Sequence, residues 1–274
     1  MPSNSFKIGK IYQENCIKTL GERVPDDAID MTLTSPPYDD LRDYNGYHFP
    51  VEEIAALLFQ KTKPGGVVVW VVGDRTYNGS ESLTSFQHAF VFRDAGFKVH
   101  DTMIYAKNNP IPSDCGKRYR QSFEYMFCFS KGSPATFNPI TEPTKSAGQK
   151  IKAFRITGKG RGNVPDEDIG RKIKTEKKVS NIFSYNVGTS SSEDKIAFEH
   201  PAIFPEQLAL DQISTWTNEG DLVYDCFMGS GTTAKAATEL GRRWFGSEIS
   251  GEYVRIAEQR LRAFAAVRAN GHVR

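Results

Sequence analysis

Ala28-Ile29-Asp30-Met31-Thr32-Leu33 runs directly into Thr34-Ser35-Pro36-Pro37-Tyr38, and the fold follows from how this junction is read. The first six residues carry β-branched and apolar side chains at alternating positions, the pattern of a short strand entering a sheet. The next five cap that strand. Pro36 and Pro37 have fixed φ and no N–H, and each pushes its predecessor out of the helical region, so Ser35 and Pro36 are expected to be extended. Their carbonyls are then free of any ladder. Such a turn at the carboxyl end of a strand is where open α/β sheets bind ligands. Taken alone, these five residues fit a plain Pro-rich strand exit equally well.

Outward from this junction, strands and helices alternate. Phe6 to Tyr12 reads as a strand and Asn15 as the N-cap of a helix to about Leu20. Residues 39–47 have no period and read as a loop. Pro50 opens a helix with Val51, Ile54, Ala55 and Leu58 inward, stopped by Pro64-Gly65-Gly66. Val67 to Val72 is continuous and β-branched, as in a parallel strand buried on both faces. Leu83 to Ala95 is helical in pattern, with Gly96 as its cap before a strand over 97–106. The strand over 121–130 places Phe123, Tyr125, Phe127 and Phe129 on one face, a core arrangement before a base-stacking one. No helix is needed between these last two strands, so they are expected to pair antiparallel at the edge of a mixed sheet.

Residues 131–198 break the pattern and read as an insertion with little regular structure. From Lys145 to Lys178 there are eleven Lys and Arg against four acidic residues, whereas the whole chain carries only +2. A basic segment on an acidic body is the footprint of phosphate contact, and equally of a solvated loop. Composition is otherwise ordinary for a soluble globular protein, with 39% hydrophobic and 25% charged residues among 274. No apolar run has the length of a membrane span and residues 1–7 lack a signal-peptide block, so the expected location is cytoplasmic, with no membrane partner. Cys16, Cys115, Cys128 and Cys226 have no metal-ligand spacing, so reduced thiols and no metal are expected.

A second motif lies near the other end. A helix over 205–217 precedes the strand Leu222 to Asp225, which leads into Gly229-Ser230-Gly231-Thr232-Thr233-Ala234, the Gly-x-Gly-x-x-Ala form of a nucleotide-binding turn. A helix to Gly241 and a strand over 242–248 follow. Glu248 ends that strand, where it can accept two ribose hydroxyls. Tyr253, Ile256, Ala257, Leu261 and Phe264 share one face of the last helix. A nicotinamide dinucleotide is compatible with the fingerprint alone. Only one helix follows Glu248, however, so the remaining strands have to come from the N-terminal half, and the sheet is assembled in permuted order.

On these motifs the chain resembles a bacterial or phage DNA amino-methyltransferase of the permuted class, in which a Ser-Pro-Pro-Tyr motif precedes Phe-x-Gly-x-Gly. The resemblance spans nearly the whole chain. It implies a Rossmann-like α/β methyltransferase fold with a mostly parallel seven-stranded sheet. Residues 1–130 would form the catalytic half, 131–198 the target-recognition insertion and 199–274 the half that binds S-adenosylmethionine. Ser35, Pro36, Pro37 and Tyr38 take the catalytic places. Thr34, His200, Phe204, Pro205, Asp225, Phe227, Gly229, Gly231, Thr232, Thr233 and Glu248 take the cofactor places. Cys226 stands where a proline is common, and Asn15 where an aspartate often precedes Cys.

The resemblance also implies the chemistry. Ser35 Oγ and the Pro36 carbonyl would hold the two hydrogens of an exocyclic amine, turning its lone pair toward the methyl donor. No Pro-Cys pair occurs, so attack through a covalent intermediate at ring carbon is not expected. The base would leave the duplex and stack on Tyr38. In this family a Ser at the first motif position usually accompanies cytosine N4, and an Asp or Asn accompanies adenine N6. Cytosine N4 is therefore the expected target, with adenine N6 as the alternative. A non-catalytic nucleic-acid-binding protein and an RNA or protein methyltransferase are the more distant readings. Lys152, Arg155, Lys159, Arg161, Arg171, Lys172 and Lys174, with Lys177 and Lys178, would meet phosphates or base edges of double-stranded DNA. A cognate restriction endonuclease acting on the same site is a partner such enzymes can have.

Overall fold

The computed structural model describes residues 6–37, 49–110, 116–149, 154–157, 160–163, 172–188 and 205–269. The chain runs through β1 (Lys10–Tyr12), α1 (Cys16–Glu22), β2 (Ile29–Thr34), α2 (Val51–Lys61) and β3 (Thr62–Val72). The two-residue strands β4 (Thr76–Tyr77) and β5 (Ser80–Glu81) come next, then α3 (Thr84–Asp94), β6 (Lys98–Lys107) and β7 (Phe123–Ser130). Four short strands follow, β8 (Thr141–Pro143), β9 (Phe154–Thr157), β10 (Gly160–Asn163) and β11 (Glu176–Lys178), and then β12 (Ile182–Tyr185). The last elements are α4 (Glu206–Trp216), β13 (Leu222–Asp225), α5 (Thr232–Glu239), β14 (Arg243–Ser247) and α6 (Gly251–Ala269). They group into two compact units, Met1–Asn138 with Asn181–Arg274, and Pro139–Ser180.

The first unit holds an eight-stranded sheet in the order β1-β14-β13-β2-β3-β7-β6-β12. Within it, β7 runs antiparallel to both of its neighbours and the other pairs are parallel. The permutation is visible in the order: β13 and β14, from the end of the chain, lie between β1 and β2. Val67, Val69 and Val71 join one apolar cluster with Leu208, Ile213 and Ala237 of α4 and α5. Val68, Trp70 and Val72 join the other, with Leu20, Leu58 and Phe92 of α1, α2 and α3. Strict alternation along the buried residues 67–72 of β3 therefore places helices on both faces, as a parallel sheet requires. Phe127 and Phe129 of β7 are core, the latter stacked on Phe92 at 4.4 Å between ring centroids. Asn15 does cap α1, its Oδ1 accepting from the Ile17 N–H at 2.9 Å.

Four expectations need correction. The sheet has eight strands, not seven, because β12, inside the stretch expected to lack structure, pairs parallel with β6. The antiparallel pair β6 and β7 is consequently interior to the sheet. Helix α2 ends at Lys61, before Pro64-Gly65-Gly66, which instead lie within β3. The β-branched Thr62 and the pre-proline Lys63 both favour extended backbone, so the strand takes over early. Finally, Pro139–Ser180 is not structureless: β8 pairs β11, β9 pairs β10, and backbone bonds such as Thr144 N–H to Thr175 O (2.8 Å) extend the first ladder. Both strands of that first ladder are exposed along their length, so no apolar period marked them.

Candidate active site

Strands β2 and β13 are parallel neighbours, with Val223 opposite Met31 and Tyr224 opposite Thr32. Their carboxyl ends are therefore side by side, although 191 residues separate Thr34 from Asp225. Thr34 Oγ1 donates to Asp225 Oδ1 at 2.6 Å in a buried bond that joins the two strand ends. Ser35 follows directly, one residue beyond the end of β2. Ser35 is half-buried, Pro36 buried and Pro37 exposed. Tyr38, His200 and Phe204 lie outside the described residues, and Pro205 is buried just before α4.

Asp225 is the hub. Its Oδ1 also accepts the Phe227 N–H at 3.0 Å, and the Thr233 hydroxyl bonds to the same carboxylate. At 5% exposure, burial is the largest influence and lifts its pKa from 3.8 to about 6 against those three donors, with nearby Glu248 adding to the rise. A carboxyl whose folded value is raised stabilises the fold fully below its unfolded value and loses that contribution as pH rises through about 6. Asp225→Asn, which does not titrate, is expected to gain on the wild type by about 3 kcal/mol at most between pH 4 and pH 7. Urea unfolding of both proteins at the two pH values measures this. Stability curves that stay parallel would show that Asp225 does not titrate in this range.

The loop after β13 is shaped by its glycines. Gly231 sits at φ 82°, where a Cβ would meet the Cβ of Ala257 at 3.1 Å, so the loop lies directly on α6. Among the described residues no side chain caps the start of α5, which leaves its first-turn N–H groups for a ligand. Glu248 braces this loop: Oε2 accepts the Gly229 N–H at 2.9 Å and Oε1 the Ser250 N–H at 2.9 Å. Each oxygen keeps a second lone pair for a hydroxyl donor. Phe227 packs against Phe49 and Trp70, with centroids 5.8 and 6.2 Å away.

One residue of this site escaped the sequence reading. Arg260 on α6 is fully buried and donates to Ser230 O (3.1 Å), Ser230 Oγ (3.3 Å) and Thr232 Oγ1 (2.8 Å). Its other amino group pairs with Glu206 Oε1 at 2.5 Å, and Lys235 binds the second oxygen of Glu206 at 2.8 Å. The signal was present, since residue 260 falls three and four positions after Ala257 and Ile256 on the inward face of α6. Of the basic residues, Lys172, Lys174, Lys177 and Lys178 are exposed in the unit Pro139–Ser180, and Lys177 pairs with Glu142 at 2.9 Å. Arg155 and Arg161 lie on the paired strands β9 and β10, while Lys152, Lys159 and Arg171 lie outside the described residues.

A glycine loop and a strand-end carboxylate suit a nucleoside, and a Ser-Pro-Pro turn on the adjoining strand suits an acceptor of its reactive group. In a sheet permuted this way, that combination defines an S-adenosylmethionine-dependent methyltransferase. The chain belongs to the N6/N4 DNA methylase family, which matches residues 29–259. It is 49% identical over 254 residues to the orphan methyltransferase M.BamHII of Bacillus amyloliquefaciens, covering 89% of this chain and 93% of that one. The type II methyltransferase M.BglII of Bacillus subtilis is 28% identical over 266 residues, covering 93% and 69%. In fold, the chain is similar to PvuII DNA methyltransferase (cytosine-N4-specific), with TM-score 0.68, 21% identity and 96% and 93% of the two chains covered. An M1.HpyAVI–SAM complex gives TM-score 0.59 at 25% identity, covering 92% and 98%.

S-adenosylmethionine is the methyl donor of this family. The residues here fit it: the uncapped start of α5, the half-exposed Gly229 and the spare lone pairs of Glu248 form a cradle for a nucleoside. Bound there, it supplies a methyl group made electrophilic by a sulfonium.

Proposed function

We propose that this DNA methyltransferase modifies the exocyclic N4 of cytosine in double-stranded DNA. The observation that carries the reading is the Thr34–Asp225 bond, which fastens the Ser35-Pro36 turn to the strand that bears the glycine loop. An exocyclic amine is a poor nucleophile because its lone pair is delocalised into the ring. Ser35 Oγ and the Pro36 carbonyl accept its two hydrogens, which re-aims the lone pair, and the transfer is direct, without a covalent enzyme intermediate. Tyr38 offers the face on which the extruded base stacks.

Ser rather than Asp or Asn at position 35 supports cytosine, as does the fold shared with the PvuII enzyme, which is cytosine-N4-specific. Mass spectrometry of nucleosides from DNA methylated by this chain is expected to find N4-methylcytosine. N6-methyladenine in its place would overturn the choice of base and leave the amino-methyltransferase chemistry intact.

Residues 131–198 carry sequence recognition in this reading, between the halves 1–130 and 199–274 of one methyltransferase domain. Exposed Lys172 and Lys174 on the unit Pro139–Ser180 support it. The orphan designation of M.BamHII supports a chain that needs no cognate restriction endonuclease. Among the described residues no helix is long and apolar enough to cross a membrane. A cytoplasmic place of work follows, in this reading, from the DNA substrate.

A further inference from the structure

The carboxyl edge of the sheet carries two segments that the transfer site does not use. One is the hairpin β4–β5 after β3, closed by Asn78 and Gly79 at φ 47° and 77°, the conformation of a tight primed turn. The other is the run 116–122 before β7. Because β7 is antiparallel to β3, its start lies at the same edge as the end of β3 and the Ser35-Pro36 turn. At about 4.8 Å per strand, β2 and β7 are roughly 10 Å apart, about three base-pair steps of 3.4 Å.

Both segments are braced. Asp74 accepts from Ser85 N–H (2.9 Å) and Ser85 Oγ (2.5 Å), and Ser82 N–H bonds Arg75 O at 2.8 Å, which holds the hairpin to the start of α3. Arg118 donates to the Gly79 carbonyl and pairs with Glu81 at 3.8 Å, which holds the run 116–122 to the hairpin. Arg118 is thus a strut. Tyr119 beside it is wholly exposed at 101%, between exposed Lys117 and Arg120, and Tyr77 on the hairpin is 63% exposed with the Arg75 guanidinium 5.8 Å from its ring centre. A lone exposed aromatic is ordinary on a protein surface. Here the ring is flanked by cations on a segment that Arg118 ties to the hairpin, at the same edge of the sheet as the turn that would receive the base.

Resting on duplex DNA as the substrate, we propose that residues 116–122 and the hairpin form a DNA grip separate from the basic insertion. Tyr119 stacks on a base exposed when the target is extruded, and Lys117 and Arg120 hold the neighbouring phosphates. A ring face and two cations recognise stacking surface and backbone charge, so the grip works on any sequence.

The test is tritium transfer from labelled S-adenosylmethionine to unmethylated plasmid DNA, with calorimetry of S-adenosylmethionine binding alongside. Tyr119→Ala is expected to lower kcat/KM for DNA about 5- to 150-fold with cofactor affinity unchanged, and Tyr119→Phe to restore most of it. Lys117→Ala with Arg120→Ala is expected to raise KM for DNA and reduce the salt slope of binding by about two. Wild-type kcat/KM in Tyr119→Ala overturns the proposal, as does Tyr119→Phe being equally impaired, since the ring face would then not be what acts. A wild-type chain that methylates no DNA fails at an earlier point, taking the substrate reading and the grip with it.

Discussion

Ser35→Ala is expected to lower the rate of methyl transfer to DNA by about 10²- to 10³-fold, the scale set by removing one preorganised hydrogen-bonding group from a transition state. Affinity for S-adenosylmethionine is expected to stay within about twofold of wild type, because the bonds that shape the glycine loop run through Asp225 and Glu248. Thr34 is the residue of this turn that bonds Asp225, and Asp225 in turn holds the Phe227 N–H at the start of the glycine loop. Removing the Ser35 hydroxyl leaves the glycine loop, Asp225 and Glu248 with all their partners. Single-turnover transfer isolates the chemical step, and calorimetry reports cofactor binding. A variant that loses cofactor affinity in proportion to rate would place Ser35 in the cofactor cradle and remove its amine-positioning role. Thr34→Val provides the contrast, since it takes a donor from the buried Asp225 carboxylate and is expected to weaken cofactor binding first.

What was legible in the chain beforehand depended on how local its cause was. Val67 to Val72 announces a doubly buried strand by itself, and Gly229, Gly231 and Glu248 announce a nucleoside turn because loop and acid sit at the ends of successive strands. The permuted order was legible from the order of the motifs, since the Ser-Pro-Pro-Tyr turn precedes the glycine loop in the chain. Strand β12 was not legible. Ile182 and Ser184 are exposed at the sheet edge while Phe183 and Tyr185 turn inward, but with an apolar Ile182 on the outer face the four residues Ile-Phe-Ser-Tyr show no alternation in sequence; the strand's place is fixed by pairing with β6 and by the Tyr185 hydroxyl donating to Asp211 at 2.8 Å. The β8–β11 ladder was hidden because its residues are exposed on both faces and pair through backbone and polar side chains, Thr141 with Glu176 and Lys177 with Glu142, so no apolar period marks it. Arg260 was passed over because a cation on a helix reads as solvated until its partners are known. Its partners, Ser230, Thr232 and Glu206, lie 28 to 54 residues away.

Arg260→Met is expected to destabilise the protein by about 3–5 kcal/mol, the range for breaking a buried ion pair by removing one partner. The cost has two sources that a second substitution separates. One is Glu206, which keeps its bond to Lys235 but loses the guanidinium; the other is the glycine loop, where the Ser230 carbonyl and Thr232 hydroxyl lose a donor. Arg260→Met combined with Glu206→Gln removes the carboxylate that has lost the guanidinium while leaving Lys235 a side-chain oxygen to bond. Urea unfolding is therefore expected to show the double variant recovering most of the stability lost by the single one. Cofactor affinity is expected not to recover, because the loop donors are missing in both. Recovery of stability without recovery of binding makes Arg260 the residue that fixes the shape of the glycine loop from behind. If both recover together, the loop holds its shape without Arg260, and the guanidinium serves only to neutralise Glu206.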